Sequence, residues 1–186
     1  MTWDVSEIPR TRGQVHLRVE GSVARLVLDN PGARNAMSVG MMTDLVAAVE
    51  RIESIGARAV LVHGDVRNGF CAGGDLRDVR KHLMNESAAK GMSQMMGDAL
   101  DKLSSLPVVV VAAVEGAALG GGAEILTAAD WVVASRGATI GFVHASLGVS
   151  PGWGGASRLI RRVGRSSACS MLLQAKRHTA HDAQQL

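Results

Sequence analysis

Apolar positions along the chain follow two rhythms, an alternation or short run that predicts strands and a three-to-four spacing that predicts helices. Val15 to Val19 and Val23 to Leu28 are strand-like runs separated by Glu20-Gly21-Ser22, which predicts a hairpin. Asp29-Asn30-Pro31-Gly32 then closes the second strand with turn residues. Met41, Met42, Leu45, Val46, Val49 and Ile52 carry the spacing of an amphipathic helix from Met41 to Ile55, with Ser38 as its cap and Gly56 as its end. Ala59 to Val62 predicts another strand, and the turn from His63 to Asp75 leads into a charged helical segment, Leu76 to Leu83. Ser87 to Leu106 predicts a second long helix, stopped by Pro107, whose Met92, Met95 and Met96 fill core gaps.

The stretch from Val108 to Asp130, VVVVAAVEGAALGGGAEILTAAD, organises the rest. Its valine run is too short for a membrane span and rich in β-branched residues, so it predicts a buried strand, with a helix from Leu119 onward. Gly120, Gly121 and Gly122 at this turn expose backbone to a ligand, and the first N–H groups of a helix attract negative charge. Glu124, placed on the second helical turn, sets an acid beside that cradle. The alternative is a tight packing turn with a solvated Glu. The glycine spacing matches neither G-x-G-x-x-G nor a phosphate-binding P-loop.

Trp131 to Ala134 and Thr139 to Phe142 predict short strands around Arg136-Gly137. After the break Ser150-Pro151-Gly152-Trp153-Gly154-Gly155 come a basic helix, Ala156 to Val163, a separating Gly164 and a further helix, Ser166 to Gln174. Thr179 caps a last helix, Ala180 to Leu186, whose apolar stripe is only beginning, so the sequence reads as a fragment or a shortened family member. On that reading uncovered apolar surface makes the chain poorly stable alone. Residues 1 to 13 read as a flexible lead-in.

A chain of 186 residues with 47% hydrophobic residues supports one sizeable core, so residues 1 to 186 are expected to form a single domain. No run of 18 apolar residues and no secretory signal are visible, which predicts a cytoplasmic protein without a membrane partner. Cys71 and Cys169 lack C-x-x-C or metal-ligand spacing, so no disulfide, no metal and two packed thiols are expected. The formal charge of +3 owes much to arginines between Arg158 and Arg177, which either meet an anionic ligand or solvate helix faces. Three Trp, two Phe and no Tyr leave no stacking platform, so no nucleic-acid partner is expected.

The segment Gly69-Phe70-Cys71-Ala72-Gly73-Gly74-Asp75 repeats the plan of the central stretch: apolar strand, glycine loop, helix. Two such turns side by side can aim two N–H groups at one oxygen, the requirement of an oxyanion hole.

Four blocks, DNPGARNAMS at 29 to 38, GFCAGGDLRDV at 69 to 79, VEGAALGGGAEILTAAD at 114 to 130 and IGFVHASLGVSPGWGGASRL at 140 to 159, resemble the crotonase (enoyl-CoA hydratase/isomerase) superfamily in order and spacing. The resemblance implies an α/β spiral of ββα repeats, here without the C-terminal helical part, and homotrimers or dimers of trimers in fatty acid metabolism. It implies an acyl-CoA thioester as partner and no separate cofactor, coenzyme A arriving with the substrate. By motif match the oxyanion donors are Gly74 and Gly121, and coenzyme A lies along Arg34 to Ala36 and along Ala72, Gly74, Asp75, Leu76 and Arg77, with Gly121. Glu124 matches one of two hydratase acids, whereas His144 stands at the place of the other. The segment around His144 and Trp153 looks most like ethylmalonyl-CoA and methylmalonyl-CoA decarboxylases. Decarboxylation of a small 2-alkylmalonyl-CoA is therefore expected, with Glu124 or His144 returning a proton; hydration or isomerisation of an enoyl-CoA is the alternative, and a non-catalytic CoA-binding member a further one. His144 is otherwise a fixed structural histidine, and Trp153 walls the acyl pocket or the core.

Overall fold

The computed structural model describes residues 11–65, 68–82 and 85–186. Most of the lead-in expected over residues 1 to 13, and Leu83, lie outside them. Thr11, within them, accepts a hydrogen bond from Gly40 N–H at 2.9 Å, so this end of the lead-in is tied to the fold.

The hairpin forms as its sequence predicts. Strand β1 (Gln14–Glu20) pairs antiparallel with β2 (Val23–Asp29), Val15 opposite Leu28 and Glu20 opposite Val23. Helix α1 (Val39–Ser54) comes next, and the Ser38 side chain accepts from Met41 N–H at 3.1 Å. The chain then alternates between strand and helix: β3 (Ala59–Gly64), α2 (Leu76–His82), α3 (Glu86–Ser105), β4 (Val109–Val114), β5 (Ala117–Leu119), α4 (Gly121–Leu126), β6 (Trp131–Ala134) and β7 (Thr139–Gly141). Helix α5 (Gly155–Gln174), strand β8 (His178–Thr179) and α6 (Ala180–Gln184) complete it. Gly164 breaks α5 at φ 78° and ψ 163°, where the sequence places a separator. A Thr179–Asp182 capping box starts α6.

Two sheets result. The larger has the order β1-β2-β3-β4-β6, parallel from β2 onward, and the smaller has the order β5-β7-β8. Strands β2, β3 and β4 turn one apolar side, including Leu26, Val62 and Ala112, toward Met41, Leu45 and Val49 of α1 and Met96, Leu100 and Leu103 of α3. Alternate burial along these strands follows the two-residue period. A smaller cluster joins Ala123, Phe142, Leu159, Ala168 and Met171 around α4 and α5.

Three expectations need correction. Leu119 does not open a helix: Ala117–Leu119 is a strand, held parallel to β7 and bridged to Cys71 by Cys71 N–H to Ala117 C=O (3.0 Å) and Leu119 N–H to Cys71 C=O (2.9 Å). Alanine and leucine favour a helix, so tertiary pairing overrides local preference here. The helix therefore starts at Gly121, and Glu124 sits in its first turn, not its second. Likewise Phe142 leaves β7 at Gly141 and opens a short 3-10 turn, Val143–Leu147.

Candidate active site

The two glycine turns lie against each other because β5 pairs with the Cys71 segment. Gly73, at φ 100°, brings its Cα so close to the second turn that an added Cβ would stand 2.9 Å from Leu119 O and 3.4 Å from Gly121 N. Gly120 begins α4 at φ 53° and ψ −121°, a conformation that only glycine takes readily. Among the described residues neither Gly74 N–H nor Gly121 N–H donates to a protein acceptor. Two unspent donors therefore belong to two turns in van der Waals reach of one another.

The segment Arg34 to Ala36 runs beside the first turn. Ala72 N–H donates to Arg34 C=O at 3.1 Å, and Met37 exchanges bonds with Gly73 C=O (2.7 Å) and Asp75 N–H (2.9 Å). Arg34, Leu76 and Arg77 are exposed, Ala36 is buried, and Ala72, Gly74 and Asp75 are half-buried. Asp75 caps α2 by accepting from Arg77 N–H at 3.0 Å. The structure thus brings the residues predicted for coenzyme A onto one rim. Asn35, which sequence reasoning missed, fixes that rim: at φ 54° and fully buried, it accepts from Asn30 N–H (2.9 Å) and donates to Gly69 C=O (2.7 Å). Its signal was an Asn in a polar turn, the residue that best tolerates left-handed backbone.

Glu124 is not solvated; it is 1% exposed and ringed by N–H donors. Its Oε2 accepts from Trp153 N–H at 2.8 Å and Gly155 N–H at 2.9 Å. Its Oε1 accepts from Gly152 N–H at 3.3 Å and meets His144 Nε2 at 3.1 Å. Gly154, in left-handed backbone at φ 76°, and Gly155 bend the chain so that the free N–H groups at the start of α5 face this carboxylate. Nothing in the sequence marked these donors as Glu124's partners, although a glycine-rich turn opening a helix is the usual place for an anion.

His144 is 9% exposed, and its Nδ1 is buried without a partner among the described residues. The pair therefore has a carboxylate saturated by N–H groups and an imidazole with one nitrogen to spare. Such a carboxylate orients the ring, as the acid does for the base in hydrolytic triads.

The glycine run has more to do than expose backbone. A side chain on Gly121 would overlap the Trp153 ring, and one on Gly122 would overlap the Cys71 carbonyl. The packing reading of this turn therefore holds. Cys71 is fully buried, and burial pushes its thiol up to about 12, which makes it a packed thiol and no nucleophile. The basic helix is mostly structural too: Arg158, 3% exposed, donates to Asp101, Thr127 and the Trp153 carbonyl, and Arg162 donates to the Ala129 and Asp130 carbonyls. Burial holds the Arg162 guanidinium below its ordinary range, against the opposing effect of Asp130. Among the described residues no cluster of three His, Cys, Asp or Glu side chains could hold a metal, and no helix is long and apolar enough to cross a membrane. A cleft of about 680 Å³ between α4, α5 and α6 is lined by Phe142, Leu159 and Met171 and contains none of the predicted site residues.

This fold agrees with comparison to known proteins. The enoyl-CoA hydratase/isomerase family profile matches residues 18–186, and the chain belongs to that family. It is similar to ethylmalonyl-CoA decarboxylase from Xenopus tropicalis, 36% identical over 95% of this chain and 59% of the relative, and to the Danio rerio protein of the same name, 42% identical over 85% and 52%. The structure superposes on an enoyl-CoA hydratase from Polaromonas with TM-score 0.84 and 29% identity, covering 93% of this chain and 68% of that one. The chain spans about half to three-fifths of the length of these curated relatives.

Proposed function

We propose that this site takes a coenzyme A thioester and decarboxylates a small 2-alkylmalonyl-CoA. The observation that carries the reading is the abutment of two glycine turns whose Gly74 and Gly121 N–H groups are unspent. Loss of CO2 from the α-carbon breaks a carbon–carbon bond and leaves its electron pair as an enolate, with the charge on the thioester oxygen. Two fixed donors about 3 Å from that oxygen stabilise it by several kcal/mol. A proton must then return to carbon, and the His144–Glu124 pair is the proton source nearest the second turn. His144 Nε2, held by Glu124 Oε1, is the ring nitrogen on the side of that turn. Coenzyme A lies on the rim formed by Arg34 to Ala36 and Ala72 to Arg77.

The decarboxylase names of the Xenopus and Danio relatives support this choice. The alternative, hydration or isomerisation of an enoyl-CoA, is favoured by the Polaromonas neighbour. Addition of water needs a nucleophile both placed and deprotonated, a task two carboxylates share and for which a Glu124 saturated by N–H donors is poorly placed. The test is ethylmalonyl-CoA against crotonyl-CoA, side by side. CO2 release with little hydration is expected, and Glu124→Gln should lower it by about 10²-fold or more. Efficient hydration without CO2 release would overturn the proposal.

A further inference from the structure

The residue that lies on the second donor turn is Trp153. Its ring rests on the Cα of Gly121, so closely that no side chain fits between them. That Cα is one bond, about 1.5 Å, from the Gly121 nitrogen. An acyl group whose carbonyl reaches this N–H therefore comes close to the indole, which itself belongs to the main core cluster. Trp153 is 4% exposed and held at every polar atom: its N–H donates to Glu124 Oε2, its carbonyl accepts from Arg158, and its indole N–H points at Met92 Sδ, 3.2 Å away. The preceding Gly152 is tied in turn, by its N–H to Glu124 and by its carbonyl to the Ser93 hydroxyl of α3.

We infer that Trp153 sets the upper size of the acyl substituent at this site, with Glu124 the positioning residue that holds it against Gly121. The inference rests on the thioester reading above and names the specificity element within it. A main chain held on both sides and an indole tied to Met92 Sδ and 4% exposed resist swinging away to admit a longer chain. Glu124 ties together this wall and His144, so one carboxylate fixes both the proton source and the size limit. Met92, half-buried and flexible, backs the wall on its far side.

The test is a chain-length series. Decarboxylation kcat/KM is measured with methyl-, ethyl-, propyl- and butylmalonyl-CoA, and calorimetric Kd with unreactive acetyl- through octanoyl-CoA, for wild type, Trp153→Leu, Trp153→Phe, Met92→Ala and Glu124→Gln. One methylene in a hydrophobic pocket discriminates by about 10- to 200-fold. Trp153→Leu should therefore raise the butyl-to-methyl ratio by at least about tenfold, with smaller shifts in the same direction for Trp153→Phe and Met92→Ala. Glu124→Gln should relax the same ratio while also slowing turnover, which loss of a proton donor alone would not do. An unchanged chain-length profile in folded Trp153→Leu overturns the inference; if that variant does not fold, an unchanged profile in both Trp153→Phe and Met92→Ala does so. A wild type that releases no CO2 but binds thioesters with the expected length limit defeats the decarboxylase reading and leaves this one standing.

Discussion

The two glycine turns share a plan and differ in the helices they lead into. After Gly73-Gly74 the chain enters α2, which buries none of its residues; after Gly120 it enters α4, which buries all six. At Gly74 an added Cβ would meet only a Val79 methyl at 3.7 Å, an ordinary contact. At Gly121 and Gly122 it would collide with Trp153 and the Cys71 backbone. One donor is thus set on an open rim. The other is sunk in the core beside a buried acid and an indole, where water is excluded and a fixed dipole acts with full strength.

That contrast predicts unequal responses to mutation. Glu124→Ala should cost the most, because three backbone N–H groups and His144 lose their acceptor in a buried site; a loss of about 3 kcal/mol or more is expected in denaturant unfolding. Next comes Gly122→Ala, at about 1–3 kcal/mol for overpacking against a main-chain carbonyl. Gly74→Ala should stay within about 1 kcal/mol of wild type. Equal losses at Gly122 and Gly74 would erase the distinction between the turns. The smallest effect concerns Cys71. At pH 8 iodoacetamide should label half-buried Cys169 and spare Cys71, whose thiol burial pushes up to about 12. A folded value above the ordinary 9.0 also means that its contribution to stability is full below pH 9 and is lost as pH rises toward 12.

Much of the fold was legible because the strands alternate and the long helices keep their period, down to the Ser38 cap and the Gly164 break. Strand β5 was not, since the three apolar residues after Gly116 can serve either structure, and only pairing with β7 and Cys71 decides. The glycine turns and the rim from Arg34 to Arg77 could be read from motifs. The surroundings of Glu124 could not, because its donors return from 28 to 31 residues later in the chain through a turn whose geometry local sequence does not encode. Asp78 was missed for the same reason: it caps α1 from a different helix, accepting from Val39 N–H at 2.6 Å.

The central claim is that Gly74 and Gly121 N–H groups share one thioester oxygen. Infrared difference spectroscopy of bound butyryl-CoA, labelled with carbon-13 at the thioester carbonyl, tests it directly. The carbonyl stretch should move to lower frequency on binding, keep that shift in Gly74→Ala, which retains its N–H, and lose part of it in Gly74→Pro, which has none. A carbonyl stretch that stays at its solution frequency in bound wild type, or a shift that Gly74→Pro leaves whole, would contradict it.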